Sequence, residues 1–181
     1  KYVYVADHRL LRRIDTDTDE LITLAGDHTE NANTDGTGSA IRFSGCYNIA
    51  TDGTDLYLHC STHIYKYVIA TDTKTKVTTA SVGLSGHYYN QMTYHQGKIH
   101  IVKRYANYKV VDIASGTTET KYFENADCEA YGITFTGDTQ WHSCYNDNSA
   151  NNEFGIYRKL INRDEHVVAQ YKSVSTNYGG T

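Results

Sequence analysis

Hydrophobic and polar residues alternate along most of this chain, in short runs separated by polar turns. The first runs cover residues 1–6, 10–16 and 20–25, and residues 17–19 form a turn before the third run. A period of two is typical of strands that have one buried face. No segment carries a helical period of useful length, so the pattern predicts an all-β protein.

The same order of strands recurs three more times. The predicted strands are residues 47–51, 55–60, 64–71 and 77–81 in the second round, 90–94, 98–103, 108–115 and 118–123 in the third, and 131–136, 139–144, 155–162 and 166–171 in the fourth. Residues 72–76 are predicted to be a turn. The third strand of each round is marked by an isoleucine, namely Ile14, Ile69, Ile113 and Ile161.

Four short antiparallel strands that recur at about 40 to 50 residues are what a blade of a β-propeller requires. A single meander leaves its faces uncovered, whereas blades stacked around an axis cover one another. We therefore predict a β-propeller of about four four-stranded antiparallel blades, complete or part of a larger ring. A β-sandwich is the rival all-β fold, but it does not require a repeat in fixed order.

A single domain over residues 1–181 is predicted, with units at roughly 1–27, 41–83, 84–124 and 125–172. The first unit lacks its innermost strand, because Lys1 already begins the second strand of the pattern. The tail at residues 173–181 could supply this strand and close the ring. A segment outside this sequence, or another chain, are the alternatives.

Composition narrows the choice of partners. The chain has 181 residues, a net charge of −4 and 21% charged residues, which is not the basic footprint of a nucleic-acid binder. Its 17 tyrosines against four phenylalanines suit strands whose faces are partly wet. No apolar run reaches membrane-spanning length. We therefore expect neither nucleic-acid partners nor membrane insertion.

Three consecutive stretches resemble the NHL repeat. Leu21-Ile-Thr-Leu-Ala-Gly26 is followed by Asp35-Gly-Thr-Gly-Ser-Ala-Ile-Arg-Phe43 and then by Ile49-Ala-Thr-Asp-Gly-Thr-Asp-Leu-Tyr57. This resembles the NHL order of strand, Leu-Ala-Gly, polar loop, Asp-Gly-x-Gly-x-Ala-x-Phe and two further strands, over roughly residues 2–80. The chain departs from the family at Cys46, near which a proline is usual, and in having fewer blades. The resemblance implies a propeller, and NHL-like propellers include adhesion and scaffold modules, RNA binders and a few enzymes.

Four cysteines bracket two of the predicted hairpins. Cys46 and Cys60 lie at the outer ends of one, and Cys128 and Cys144 lie at the outer ends of the other. Neighbouring antiparallel strands bring such pairs within disulfide range. Four cysteines allow three pairings, and the repeat favours 46–60 and 128–144. Because disulfides accumulate in oxidising compartments, we expect a secreted or cell-surface protein; four buried thiols in a cytosolic protein are the alternative.

The nine histidines do not gather in one column of the repeat. In the aligned second strands, one column holds Tyr57, His100 and Trp141, and the next holds Leu58, Ile101 and His142. Peptide-amidating lyases that resemble this family hold zinc with histidines in the central channel, and such a site needs several ligands at equivalent points. No cofactor is therefore predicted.

The acidic stretch that contains Asp15, Asp17 and Asp19 suggests calcium as a second metal. It lacks the glycine and the distant glutamate of an EF-hand loop. It also corresponds to the predicted turn at 72–76, which favours a solvated hairpin turn over a metal site.

Aromatic residues are the candidates for binding. The column of Tyr57, His100 and Trp141 is interpreted mainly as packing between blades, while loop residues are expected to be exposed. The candidate binding residues are Tyr105, Tyr108, Trp141 and Tyr145.

No nucleophile elbow, metalloprotease helix or phosphate loop occurs in the sequence, and no catalytic residue is assigned. We expect a non-catalytic, extracellular binding or structural module that mediates protein or glycan interaction or self-assembly. The alternative is a metal-dependent lyase or hydrolase that acts at the central channel of the propeller.

Overall fold

A computed structural model describes residues 1–83, 89–103, 107–123, 128–146, 153–161 and 171–172. These residues form sixteen strands and one short 3-10 turn at Gly38–Ala40. The strands are β1 Tyr2–Asp7, β2 Leu10–Asp15, β3 Leu21–Gly26, β4 Gly36–Thr37, β5 Cys46–Thr51, β6 Leu56–Cys60, β7 His63–Val68, β8 Thr73–Lys76, β9 Tyr89–His95, β10 Lys98–Lys103, β11 Asn107–Asp112, β12 Thr118–Tyr122, β13 Cys128–Thr136, β14 Thr139–Asn146, β15 Glu153–Leu160 and β16 Tyr171–Lys172. Among the described elements, no helix is long and apolar enough to cross a membrane.

The strands form four antiparallel sheets, which we call units 1 to 4. Their strand orders are β1-β2-β3, β4-β8-β7-β6-β5, β12-β11-β10-β9 and β13-β14-β15-β16. Units 2, 3 and 4 are each a four-stranded meander, to which unit 2 adds the short β4. In the described residues unit 1 has only three strands. The predicted all-β fold of four repeated antiparallel sheets is therefore confirmed.

The core lies between successive sheets. Three clusters of buried residues fill the spaces between units 1 and 2, units 2 and 3, and units 3 and 4. Strand β6 shows how one strand serves two of these clusters: Leu56 and Leu58 face unit 1, while Tyr57 between them faces unit 3. This follows from the alternation of side chains across a strand. Hydrophobic burial on both faces of a middle unit therefore explains why the chain needs the repeat.

The units follow one another along an arc. Extensive contacts join strands of units 1 and 2, units 2 and 3, and units 3 and 4, and among the described strands no contact of similar extent joins unit 4 to unit 1. The outer faces of the arc are accordingly open. Val3 is 49% exposed and Val5 36%, whereas Leu56 and Leu58, at the same positions of β6, are 2% and 0% exposed.

The outermost strand of unit 2 differs from the prediction. Residues 77–81 were predicted to be the strand and 72–76 the turn, but β8 is Thr73–Lys76 and the turn precedes it. The hydrophobic pattern predicted the wrong residues because the inward-facing residue of β8 is Lys74, which is fully buried. Hydrophobicity alone cannot identify a strand whose buried side chain is a lysine.

The isoleucine register is wrong in unit 1. The backbone N–H of Ile113 donates to Gly97 and that of Ile161 donates to Asp138, each just before the second strand of its unit. In unit 1 the matching donor is Thr16, which bonds to Lys1. Ile14 therefore lies two residues before the position that Ile113 and Ile161 share.

A β-bulge recurs in the innermost strands. The register shifts at Tyr47 in β5 and at Tyr131 in β13, and at Asn90 in β9. Asn48, Gln91 and Gly132 follow these bulges directly and are therefore equivalent. A bulge twists a strand and redirects its side chains, so the three innermost strands share one geometry around the inner edge of the arc.

Candidate functional site: the inner edge of units 1 and 2

A groove lies where the fourth strand of unit 1 would be. In the other units an innermost strand pairs with the second strand, but among the described strands β1 is the edge of its sheet and its neighbour across the groove is β5. The groove has a volume of about 410 Å³ and is lined by Tyr4, Val5, Ala6, Tyr47, Asn48, Ile49, Gln91 and Met92. One row of backbone N–H and C=O groups on β1 therefore faces away from β2, as in any edge strand.

Only one end of this edge is joined to unit 2. The Cys46 N–H donates to the carbonyl oxygen of His8 at 2.7 Å, just beyond the end of β1. The remaining length of β1 borders the groove. Tyr47 stands beside this bond at the bulge of β5 and is 42% exposed, with its ring 5.9 Å from that of His59. The groove thus has an apolar wall, an aromatic rim and an open backbone edge.

Equivalent polar side chains of the innermost strands behave differently. In unit 3, Gln91 reaches across to unit 4, where its Oε1 accepts the Ile133 N–H at 2.8 Å. This approach requires Gly132, because a Cβ there would lie 2.6 Å from Gln91 Oε1. In unit 2, Asn48 lines the groove, and among the described residues its buried Nδ2 has no acceptor.

A buried lysine holds the loop before β5 in place. Lys74 is fully buried, and its ammonium donates to the carbonyl oxygens of Arg42 at 2.9 Å and Thr34 at 3.2 Å. It also lies 3.4 Å from Asp35 Oδ1 and 4.0 Å from the centre of the Tyr65 ring. Burial lowers the pKa of Lys74, and the nearby Asp35 carboxylate opposes this shift. The lysine therefore joins the polar loop to the outer strands of unit 2.

Part of the NHL-like sequence has a clear structural role in this region. Gly26 has φ +98°, and a side chain there would collide with the carbonyl oxygen of Arg9. Phe43 is fully buried between units 1 and 2. The Leu-Ala-Gly end and the final phenylalanine of the motif thus pack between two units. Neither indicates a catalytic or ligand-binding role.

An aromatic row crosses the space between units 3 and 4. The ring centroids of His95 and Phe135 are 4.2 Å apart, and those of His100 and Phe135 are 4.5 Å apart. The row continues to Tyr108 and Phe123, which are 4.9 Å apart. His100 is 7% exposed, and burial, with smaller contributions from His95 and Lys98, lowers the pKa of its imidazole to about 4. His100 is therefore a neutral packing residue at neutral pH.

Strand pairing confirms that the three residues of the predicted column are equivalent. Each occupies the same position in the second strand of its unit, namely Tyr57, His100 and Trp141. Tyr57 packs between units 2 and 3, stacked on Tyr94 at 5.8 Å, and its hydroxyl donates to Asp52 at 2.9 Å. Burial raises the pKa of Tyr57. The packing interpretation therefore holds for Tyr57 and His100.

The candidate binding residues are not gathered in one place. Tyr108 was expected to be exposed on a loop, but it lies in β11, is 7% exposed and donates its hydroxyl to Gln140 at 3.3 Å. Tyr145 lies in β14 and not on a loop. Trp141 is half-buried, with the Arg158 guanidinium 5.9 Å from its ring centre, and Tyr105 lies outside the described residues. Their role in binding remains a prediction.

The cysteines support half of the predicted pairing directly. Cys46 and Cys60 are opposite each other in the ladder and form a disulfide. Cys144 is also disulfide-bonded, but the residue opposite it in the ladder is Ala130, two positions after Cys128. The side chain of Cys128 lies outside those described, so the 128–144 pairing remains a prediction.

The acidic turn is closed by its own backbone. The Asp17 N–H donates to Asp15 Oδ1 at 2.9 Å, and the Asp19 N–H donates to the carbonyl oxygen of Asp15 at 2.8 Å. In the part of the chain that the structure describes, no three His, Cys, Asp or Glu side chains are grouped as metal ligands. The turn thus has the hairpin geometry that its sequence suggests.

Sequence reasoning missed the groove residues Tyr47 and Asn48. The available signal was indirect: unit 1 was predicted to lack its innermost strand, and the strand that would border this gap begins at Cys46. The bulge at Tyr47 could not be predicted from the sequence, because a bulge depends on pairing between two strands and leaves no fixed pattern in one of them.

No family model matches the sequence, and no curated protein matches it either. Solved structures do resemble the fold. One is a chain in a crystal structure of the mitotic checkpoint complex, with a TM-score of 0.55 and 12% identity over 97% of this chain and 49% of that one. Another is the computationally designed Ika8 protein, with a TM-score of 0.50 and 13% identity over 91% of this chain and 44% of that one.

This chain thus spans about half the length of these similar chains. At such low identity the likeness concerns the fold alone. Together with four consecutive antiparallel sheets that pack face to face, it shows that the chain has a β-propeller fold.

Proposed function

We propose that this chain is a non-catalytic β-propeller module that functions by binding protein, and that two copies associate through the end faces of the arc. The observation that carries the proposal is the exposure of apolar residues at positions that are buried elsewhere in the repeat. On unit 1 these are Val3 and Val5. On unit 4, Ile156 is 53% exposed, whereas Tyr108 at the matching position of unit 3 is 7% exposed.

The end faces suit each other because the units inside the arc already make this contact. The face of unit 4 that carries Ile156 corresponds to the face of unit 3 that packs on unit 4. The face of unit 1 that carries Val3 corresponds to the face of unit 2 that packs on unit 1. Two copies joined at both ends would give eight units, and head-to-tail contacts of this kind close into a ring when the rotation allows it. The length of the similar chains, about twice that of this one, supports this size.

Protein is favoured over glycan because the exposed apolar residues that carry the proposal, Val3, Val5 and Ile156, are aliphatic, whereas glycan sites depend on aromatic planes with polar neighbours. The secreted or cell-surface location is part of the proposal and is supported by the Cys46–Cys60 disulfide and the bonded state of Cys144. The close approach of Gly26 to the Arg9 carbonyl and the buried position of Phe43 support the assignment to propellers of the NHL type.

Sedimentation velocity over a wide range of protein concentration tests the association. We expect a concentration-dependent dimer that Val3→Lys and Ile156→Lys each weaken at least tenfold, since each places a charge in the contact. Tyr122→Lys is the matched control, because Tyr122 is 70% exposed on the outermost strand of unit 3. A strict monomer at every concentration, or equal effects of all three substitutions, would refute the end-face contact.

A further inference from the structure

We infer that the groove between β1 and β5 accepts an extended strand from a second polypeptide, which pairs with the open edge of β1 and completes unit 1. The site differs from the end faces of the arc, since it lies at the inner edge and uses backbone hydrogen bonds. The inference therefore goes beyond the proposed association of two copies, and it can hold for a monomer.

The repeat itself defines the occupant. In units 2, 3 and 4 the position equivalent to the groove is occupied by a strand, and each of these strands pairs antiparallel with the second strand of its unit. A strand of five or six residues in this position would satisfy the N–H and C=O groups of β1 that face away from β2. Addition of a strand to an open sheet edge is an established mode of peptide recognition, in which the backbone supplies affinity and alternate side chains supply specificity.

The walls of the groove specify the side chains of that strand. Ile49 presents apolar surface, and Tyr47 forms an aromatic rim. The partner is thus a segment with apolar or aromatic residues at alternate positions, of the kind found in this chain's own innermost strands.

A synthetic peptide that copies residues 129–137 provides the probe. Its sequence, Glu-Ala-Tyr-Gly-Ile-Thr-Phe-Thr-Gly, contains the described part of β13 and no cysteine. The Ile133 N–H donates to Gln91, away from β14, so in an antiparallel ladder the Thr134 N–H faces β14. The control peptide carries proline in place of Thr134, which removes one ladder donor and leaves the other side chains unchanged.

Fluorescence anisotropy of the labelled peptide against the full chain measures binding. We expect saturable binding by the first peptide and binding on the order of tenfold weaker by the proline peptide, the factor expected for one lost hydrogen bond. Tyr47→Asp in the protein should weaken binding by a similar factor. Ile49→Thr is a second groove variant should Tyr47→Asp not fold, and Ile156→Asp, at the far end of the arc, should leave binding unchanged.

Four outcomes would overturn the inference: no binding of the first peptide, equal binding of both peptides, equal loss with Ile156→Asp, or binding that appears only after residues 173–181 are removed. The last result would assign the edge of β1 to the chain's own tail. Because the end-face variants Val3→Lys and Ile156→Lys lie outside the groove lining, loss of dimerisation and loss of peptide binding are distinguishable.

Discussion

Single buried polar residues control the packing between units, and His100 is the clearest example. It is almost fully buried between units 3 and 4, where it contacts the rings of Phe135 and Tyr108. Neither ring nitrogen has a hydrogen-bond partner among the described residues. An imidazole in this position is tolerated because it is neutral, and its protonation would place an unpaired charge among aromatic rings.

The stability of the protein should therefore fall in mild acid. The pKa of His100 is lowered from 6.5 to about 4 in the folded state, so between these values the unfolded chain binds more protons. The free energy of unfolding that depends on neutral His100 is therefore fully present above pH 6.5. It decreases as the pH falls towards 4, by about 3 kcal/mol in total. Urea unfolding at pH 7.5 and pH 5 measures it.

His100→Phe keeps the ring packing and should lose less stability between these two pH values than the wild type. His28→Gln, at an exposed position, should behave as the wild type does. An unchanged pH dependence in His100→Phe would show that other groups cause the acid sensitivity. The other titratable groups near His100 are His95 and Lys98, which act on its imidazole, and His142, whose ring packs on Phe123 in the same aromatic row.

Lys74→Met should loosen the loop that precedes β5. The substitution keeps the length of the side chain but removes the donor to Thr34 and Arg42 and the cation beside Asp35. We expect a loss of about 1 to 3 kcal/mol in the free energy of unfolding, the usual cost of leaving buried polar groups without partners. Urea unfolding measures it, and limited proteolysis should cleave within residues 27–42.

Lys76→Met is the matched control for this change. Lys76 lies on the same strand but is exposed, and its interaction with Asp35 is made by its backbone N–H. It should change stability little. If both substitutions cost the same, Lys74 is not the residue that joins the loop to β8.

At the scale of strands, the contact between Gln91 and the backbone of β13 joins units 3 and 4 at the inner edge. Gly132→Ala places a methyl group against Gln91 Oε1 and should displace it from the Ile133 N–H, at a cost of about 1 kcal/mol. In a Gln91→Ala background the same substitution should cost clearly less. A double-mutant cycle by urea unfolding measures this coupling, and additive effects would show that Gln91 and Gly132 act independently.

Sequence patterns predicted strands well where alternation reflects hydrophobic burial, as in β6 and β10. They failed at β8, where the buried residue is a lysine that is tolerated only because loop carbonyls surround its ammonium. The predicted equivalence of Ile14 with Ile113 and Ile161 failed for a related reason. An apolar residue indicates burial, but only the backbone pairing shows which position of the repeat that residue occupies. The groove could not be predicted in detail, since the bulge at Tyr47 arises from pairing between strands.

The whole molecule is a linear array in which each unit contacts its neighbours, so its stability should vary along the arc. In such repeat structures, stability is approximately a sum of unit terms and of interfaces between neighbours. Units 2 and 3 are covered on both faces, whereas units 1 and 4 each have an open face that exposes Val3 and Ile156. Opening of an end unit breaks one interface, and opening of a middle unit breaks two.

Hydrogen exchange should therefore be fastest in the end units. In a dilute monomer we expect the amides of β6 and β10 to exchange more slowly than those of β1 and β15, because local opening exposes less surface at the ends. Mass spectrometry of exchanged peptides from each strand measures this gradient. Equal protection of β1 and β6 in the monomer would contradict the open arc, since it would require β1 to be covered. Raising the concentration of the wild type should protect β1 and β15 together, and Val3→Lys should abolish this added protection if the same end faces associate.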